Sequence, residues 1–216
     1  MTIPLIIPRR RLLAPGGGGG SPLVAIGGAS AAAAGFTVNP TTLGAQDGDL
    51  MVVSSIWETD TGVTSPTDWT EVIDEGGGFG GALARWHLAK RIFSGSPPGD
   101  QSWSYGGSNN VAWQWAILRG VSDLGTVTKI TAKLSGTYSI DVTIGTEGAL
   151  VWIGYDGSTQ DPTAVPDMTN IDSNGRSEDL SGMYGELAWL TANATVVADP
   201  SPFNAGLGRP WWVPVN

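Results

Sequence analysis

The sequence predicts an all-β protein, a β-sandwich or jelly roll carrying an extended N-terminal arm. Three observations carry this expectation. From residue 23 onward, short runs rich in Val, Ile, Trp and Thr alternate with clusters of Gly, Pro, Asp, Asn and Ser at the spacing of a sandwich. With 32 Gly and 14 Pro among 216 residues, long helices have little room. In the run Thr137–Ile144 the large apolar residues Tyr138, Ile140, Val142 and Ile144 fall at alternate positions, so one face of that strand is core and the other is wet.

The first 22 residues form a separate unit, an anchoring arm and glycine hinge. Pro4, Pro8 and Pro15 each remove a backbone donor and favour extended geometry, which excludes an amphipathic or membrane-inserting helix over 1–15. The cations Arg9, Arg10 and Arg11 follow the apolar run, whereas a secretory signal places them before it. Leu5, Ile6, Ile7, Leu12 and Leu13 make the arm too apolar for a segment meant to stay in water, so it reads as a peptide that docks into a larger assembly. Gly16–Gly20 then uncouple it from the body.

Residues 23–207 form the sandwich. Strands are expected over 49–57, 69–73, 82–92, 110–119, 137–144, 149–155 and 184–190. The alanine-rich stretch Gly28–Gly35 is the only helix candidate, and it serves equally well as a small-residue strand. Gly48-Asp-Leu50, Pro66 and Ile73 line up with Gly148-Ala-Leu150, Pro166 and Ile171, a repeat near one hundred residues that suggests two Greek-key halves closing into one jelly roll. Residues 208–216 close the chain as a docking tail, because Trp211 and Trp212 lie between prolines that a central strand rarely accepts.

Composition excludes several chemistries. Without Cys there is no disulfide, thiol nucleophile or thiolate metal site, and the single histidine, His87, rules out two-histidine zinc motifs. His87 lies in mid-strand and reads as a packed structural residue. A net charge of −9 repels phosphate backbones, so nucleic acid is not an expected partner. No nucleophile elbow or phosphate-binding loop occurs, and 20 acidic residues are too many for a chance pair to signal glycosidase chemistry. The acidic runs 156–161 and 172–179 fit no calcium-loop pattern and read as solvated turns. No catalytic residue, metal or cofactor is therefore assigned.

Ten Trp exceed what one core of this size needs. Trp57 with Asp60, and Trp103 and Tyr105 with Asn109 and Asn110, place aromatic planes beside polar loop residues, the pairing that a sugar ring requires. These six are the candidate glycan-binding residues.

Four segments carry a resemblance. Gly48-Asp-Leu-Met-Val-Val-Ser54, Ser65-Pro-Thr-Asp-Trp69, Leu83-Ala-Arg-Trp-His-Leu-Ala-Lys-Arg91 and Ala112–Val121, which closes on Arg119-Gly-Val121, together resemble a recurrent domain of tailed-bacteriophage virion proteins over roughly residues 35–160. The resemblance implies a β-sandwich or jelly roll on a tail, baseplate, fibre or head spike, located in the virion and concerned with host attachment. Its implied partners are other virion proteins, further copies of itself in a homo-oligomer such as a trimer, and a host surface glycan. The alternative is a non-catalytic carbohydrate-binding module of a secreted or cell-surface protein.

Overall fold

The computed structural model describes residues 21–58, 61–79, 82–105, 110–131, 137–156, 168–178, 183–198 and 207–216. Of the arm and hinge expected over 1–22, residues 1–20 lie outside the described residues, while Pro22 is buried and its carbonyl accepts from Arg119 N, so it belongs to the folded body. Among the described residues there are sixteen strands and no helix. The first eight are β1 (Leu23–Ala32), β2 (Gly35–Val38), β3 (Leu50–Trp57), β4 (Val63–Thr64), β5 (Thr70–Phe79), β6 (Ala82–Ile92), β7 (Gln101–Tyr105) and β8 (Asn110–Leu118). The second eight are β9 (Thr128–Lys129), β10 (Tyr138–Val142), β11 (Gly148–Asp156), β12 (Met168–Thr169), β13 (Ser173–Glu178), β14 (Met183–Leu190), β15 (Ala194–Ala198) and β16 (Leu207–Val215).

Their pairing reveals a duplication. The first half folds into the sheets β1-β8-β3-β6-β5 and β2-β7-β4; adding eight to every number gives the sheets of the second half, β9-β16-β11-β14-β13 and β10-β15-β12. This is the strand order of a jelly roll, except that the fifth strand extends the larger sheet by a hairpin onto the sixth. Backbone details repeat as well. Gly48 (φ 79°) and Gly148 (φ 150°) precede and open the third strand of each half, and Asp68 (φ 69°) and Asn170 (φ 63°) take the left-handed conformation between the fourth and fifth strands. The repeat near one hundred residues is therefore real at Gly48/Gly148 and Leu50/Leu150, whereas Ile73 lies in β5 and Ile171 before β13, and Pro166 lies outside the described residues; each half is a complete sandwich of its own rather than half of a shared one.

The two large sheets stack face to face, giving four layers with three cores. In the central core Leu50, Val52, Ile56, Trp86 and Leu88 meet Leu150, Trp152, Leu187, Trp189, Trp211 and Val213. The outer layers cover the remaining face of each large sheet, the first with Phe36, Val38, Val63 and Trp103, the second with Tyr138, Ile140 and Val142. This layering explains the strand patterns. β3 and β14 are buried at every residue and read as continuous apolar runs, because both faces are covered. β10 lies in an outer layer and keeps its strict alternation.

Across the central core β1 lies against β13, β8 against β14, β3 against β11 and β6 against β16. Adding eight on one side and subtracting it on the other exchanges β8–β14 with β6–β16 and returns β3–β11 to itself, so the middle of the joint has a local two-fold passing between β3 and β11, whereas β1 packs on β13 far more extensively than β5 does on β9. Close approach depends on small residues: a Cβ at Gly175 of β13 would sit 2.5 Å from the backbone of Gly27 on β1, and one at Gly185 would collide with the Gln114 amide. Gln114 and Arg209 hold matching places, opposite Ser54 of β3 and Gly154 of β11. Each reaches across the joint, Gln114 accepting from Trp152 Nε1 at 2.5 Å and Arg209 lying 4.4 Å above the Trp86 ring while bonding Glu75 at 2.9 Å.

Two expectations need correction. Residues 208–216 are no docking tail: β16 runs between β11 and β9, and Trp211 is buried in the central core, with Trp212 packed on the core of the second half. Pro210 and Pro214 are tolerated because their carbonyls face the β9 side, accepting from Ile130 N and Gly125 N, where the two-residue β9 asks no donor of them. Likewise, most of the acidic run 172–179 is strand β13 rather than a turn, and the Asp172 carboxylate accepts from Thr191 N and Oγ1. The rest of the run 156–161, from Gly157, lies outside the described residues.

Candidate functional site

The residues expected to stack on a sugar are inside the protein. Trp57, Trp103 and Tyr105 are 0%, 1% and 7% exposed. Together with Phe36, Trp69 and Trp113 they form one aromatic cluster, in which Phe36 stacks on Trp103 at 5.0 Å and on Trp113 at 4.7 Å, and Trp57 meets Tyr105 edge-on at 4.6 Å. No ring face of these three is left for a ligand. Asn110 is half-buried and donates to Glu58 at 2.9 Å, while Asp60 and Asn109 lie outside the described residues. The surplus of Trp is explained by the architecture, since three cores need more large rings than one.

His87 sits in a polar cluster at the margin of the first-half core. Its Nε2 is 3.0 Å from Ser65 Oγ, and Ser65 Oγ donates to Glu71 at 3.0 Å. The hydroxyl has one proton to give, so Nε2–H is the donor to Oγ and Nδ1 is left bare, buried and without a partner. An activated serine needs the opposite polarity, with the imidazole accepting from the hydroxyl. Burial pushes the imidazole down to about 4, with Asp74 opposing and Arg85 assisting. Burial raises the neighbouring Asp74 carboxyl, but the Arg85 fork, at 2.5 and 2.7 Å, outweighs it and holds the group below its ordinary value.

The second half carries a corresponding cluster that sequence reasoning missed. Glu186 is fully buried and accepts from Met168 N at 2.9 Å, Tyr184 Oη at 2.9 Å, Asn174 Nδ2 at 2.5 Å and Arg176 Nε at 3.2 Å. Burial and then the Glu186 charge hold the Tyr184 hydroxyl well above its usual range. A lone carboxylate inside the apolar run Met183–Leu190 was the signal available in the sequence.

The segments 48–54, 65–69, 83–91 and 112–121 converge on clamps at one end of the first half. Asp49 of Gly48-Asp-Leu50 is 1% exposed and takes a two-pronged bond from Arg119 of Arg119-Gly-Val121, both contacts at 2.9 Å across 70 residues of chain. Arg119 N donates to Pro22 O at 2.8 Å, which seats the first described residues against the end of β8. Asp68 and Trp69 form the left-handed turn after Pro66, with Asp68 bridged to Arg91. Lys90 pairs with Asp123 in the connection between the halves, and Ser122 N donates to Asn216 O.

The body is polar in the directional sense. The start of β1, the end of β8 and the residues around Asn216 gather at one end. A Cβ at Gly154 would lie 3.2 Å from that of Ile56, so β3 and β11 carry their C-terminal ends to the opposite end together. There too lie the strand ends that lead into 59–60, 80–81, 106–109, 132–136, 157–167, 179–182 and 199–206. On one flank, at the seam between the halves, Ile73, Glu75, Trp86, Lys129, Arg209 and Trp211 line a small cleft, with Glu75 bridged to both Arg209 and Lys129. No family model matches the chain, and neither a curated protein nor a solved structure matches it.

Proposed function

We propose that the protein is a structural component of a bacteriophage virion, held in the particle through its N-terminal arm and projecting a rigid double jelly roll that takes part in host adsorption. The observation that carries this reading is the separation of root from tip. The chain enters the folded body at Pro22, at the end where Arg119, the inter-half connection and Asn216 meet, while β3 and β11 run side by side from that end to the opposite one. Such a body transmits the position of its root to its tip without an internal hinge, because three packed cores run through it.

Two further observations support the reading. The segments that resemble phage virion domains act as ion-pair clamps and turns rather than as a reactive centre, which suits a non-catalytic role. The burial of Trp57, Trp103 and Tyr105 removes the aromatic platform on which a carbohydrate-binding module would rest.

The test is deletion of residues 1–20 in a phage that carries this protein. The truncated chain is expected to fold, with the thermal transition of the full chain, and to be missing from purified particles. Normal incorporation of the truncated chain would overturn the proposal.

A further inference from the structure

The buried ring of His87 cannot take a second proton where it stands. Its Nε2–H is spent on Ser65 Oγ, and Nδ1 is a bare acceptor with no partner. A proton added to Nδ1 would make a buried N–H without an acceptor, in a ring shut away from water. The charged groups around it are divided. On β5, Glu71 lies 3.8 Å from Nε2 and Asp74 stands directly across from His87, both favouring a charge on the ring, while Arg85 on β6 opposes it. From β3 comes the uncharged Ser55, engaged by Trp57 Nε1, and the outer layer on this face brings Val63 of β4 and Tyr105 of β7. The carboxylates that could receive a second N–H thus belong to β5, and Ser65 Oγ stands between Nε2 and Glu71, 3.0 Å from each.

Ser65 belongs to a lightly fastened flap. Residues 63–71 pair through the two residues of β4 on β7 and through Thr70 and Glu71 on β6, and the register shift between Glu71 and Ile73 sets them apart from the rest of β5. Within the flap Val63 and Trp69 alone are buried. Side-chain bonds add to its hold: Ser65 to His87, the Val63 amide to the Asp74 carboxylate, Trp69 Nε1 to Gln101 at 3.2 Å and Arg91 to Asp68 at 3.4 Å. Beneath it lies the aromatic cluster, with Trp103 edge-on to Trp69 at 4.8 Å and Tyr105 paired with Val63.

We propose that residues 63–71 form an acid-operated lid: protonation of His87 breaks its bond to Ser65, releases the flap and uncovers Trp103 and Tyr105 while the central core stays folded. To pair both nitrogens the charged ring turns toward Glu71 and Asp74, through the place that Ser65 holds. With the lid closed the ring titrates near 4; with it open the ring meets water and regains its ordinary 6.5. The open form therefore gains population as pH falls from 6.5 toward 4, by up to about tenfold per pH unit. An aromatic surface that is buried at neutral pH becomes accessible in acid. The lid works whether or not the protein belongs to a virion.

The experiment is hydrogen exchange of the full chain from neutral pH down to about pH 4, corrected for the intrinsic pH dependence of exchange, with the His87 imidazole followed by NMR over the same range. The chain has one histidine, so the imidazole signal is unambiguous. Protection over residues 63–71 is expected to fall at least about tenfold more than protection over β11, with a midpoint that matches the imidazole titration. In His87→Gln, which keeps a donor for Ser65 and cannot titrate, the flap should stay protected. Equal loss of protection in the flap and β11 overturns the proposal, since the whole chain then opens at once. So does a flap that stays protected while the imidazole titrates, or one that opens at a different midpoint, because His87 then does not operate it. Exchange and titration are read on the unaltered chain, so the outcome does not depend on the variant folding.

Discussion

His87 is neutral in the folded chain because its ring is buried and its one hydrogen-bonding nitrogen is used to donate. The consequence is a pH dependence with a fixed sign. The folded value near 4 lies below the ordinary 6.5, so as pH falls through 6.5 the unfolded chain takes up a proton that the folded chain refuses. Stability from this residue is complete above about 6.5 and declines toward pH 4, by roughly 3 kcal/mol over the window. Urea unfolding at intervals across that range checks it, and His87→Gln, which keeps a donor for Ser65 and cannot titrate, should flatten the slope. Residue type and strand position already marked His87 as structural in the sequence. Its partners were not legible, since Ser65, Glu71 and Asp74 reach it from another strand and a turn whose register no local pattern encodes.

Among the elements, the strands legible in the sequence were those with enough length and apolar density to stand out: β3, β6, β8, β11 and β14 in the two central sheets, the first part of β5, and β10 by its alternation. Those missed have other causes. β1 is written in glycine and alanine, β13 in polar residues, and β2, β4, β9 and β12 are too short to show a period. β16 was misread because two prolines argued against a central strand, a rule that the one-sided donor requirement of this strand evades. If β16 is integral to the central core, Trp211→Ala should lower stability by about 3–5 kcal/mol, and removing residues 207–216 should abolish the cooperative transition. Thermal or denaturant melts followed by Trp fluorescence distinguish this from a detachable tail, whose loss would leave the transition intact.

At the scale of the whole molecule, the stacking of two jelly rolls was the feature least visible in advance. A repeat in sequence says that two units are similar, but not that their largest faces meet. That knowledge sits in the burial of both faces of β3 and β14, which the sequence displays only as unbroken apolar runs. Because the central core draws on both halves, they should unfold as one unit. Calorimetry of the full chain is expected to show a single transition whose calorimetric and van't Hoff enthalpies agree. A fragment ending at Ser122 should expose the Trp86 face and aggregate or bind a hydrophobic dye. Two resolved transitions, or a soluble and well-ordered fragment, would contradict this.

The local two-fold between β3 and β11 has the form of a homodimer contact, in which the same surfaces meet twice. A dimer of separate jelly rolls would come apart on dilution, and its population would follow the subunit concentration. Here the packed connection that holds Val121 and Leu124 in the central core ties the two rolls into one chain. Their mutual effective concentration is then on the order of millimolar or above whatever the number of molecules present. The tether also frees the two sides to diverge, as Gln114 and Arg209 have done at matching positions. A single copy, however isolated, is thus an already assembled pair with two different faces.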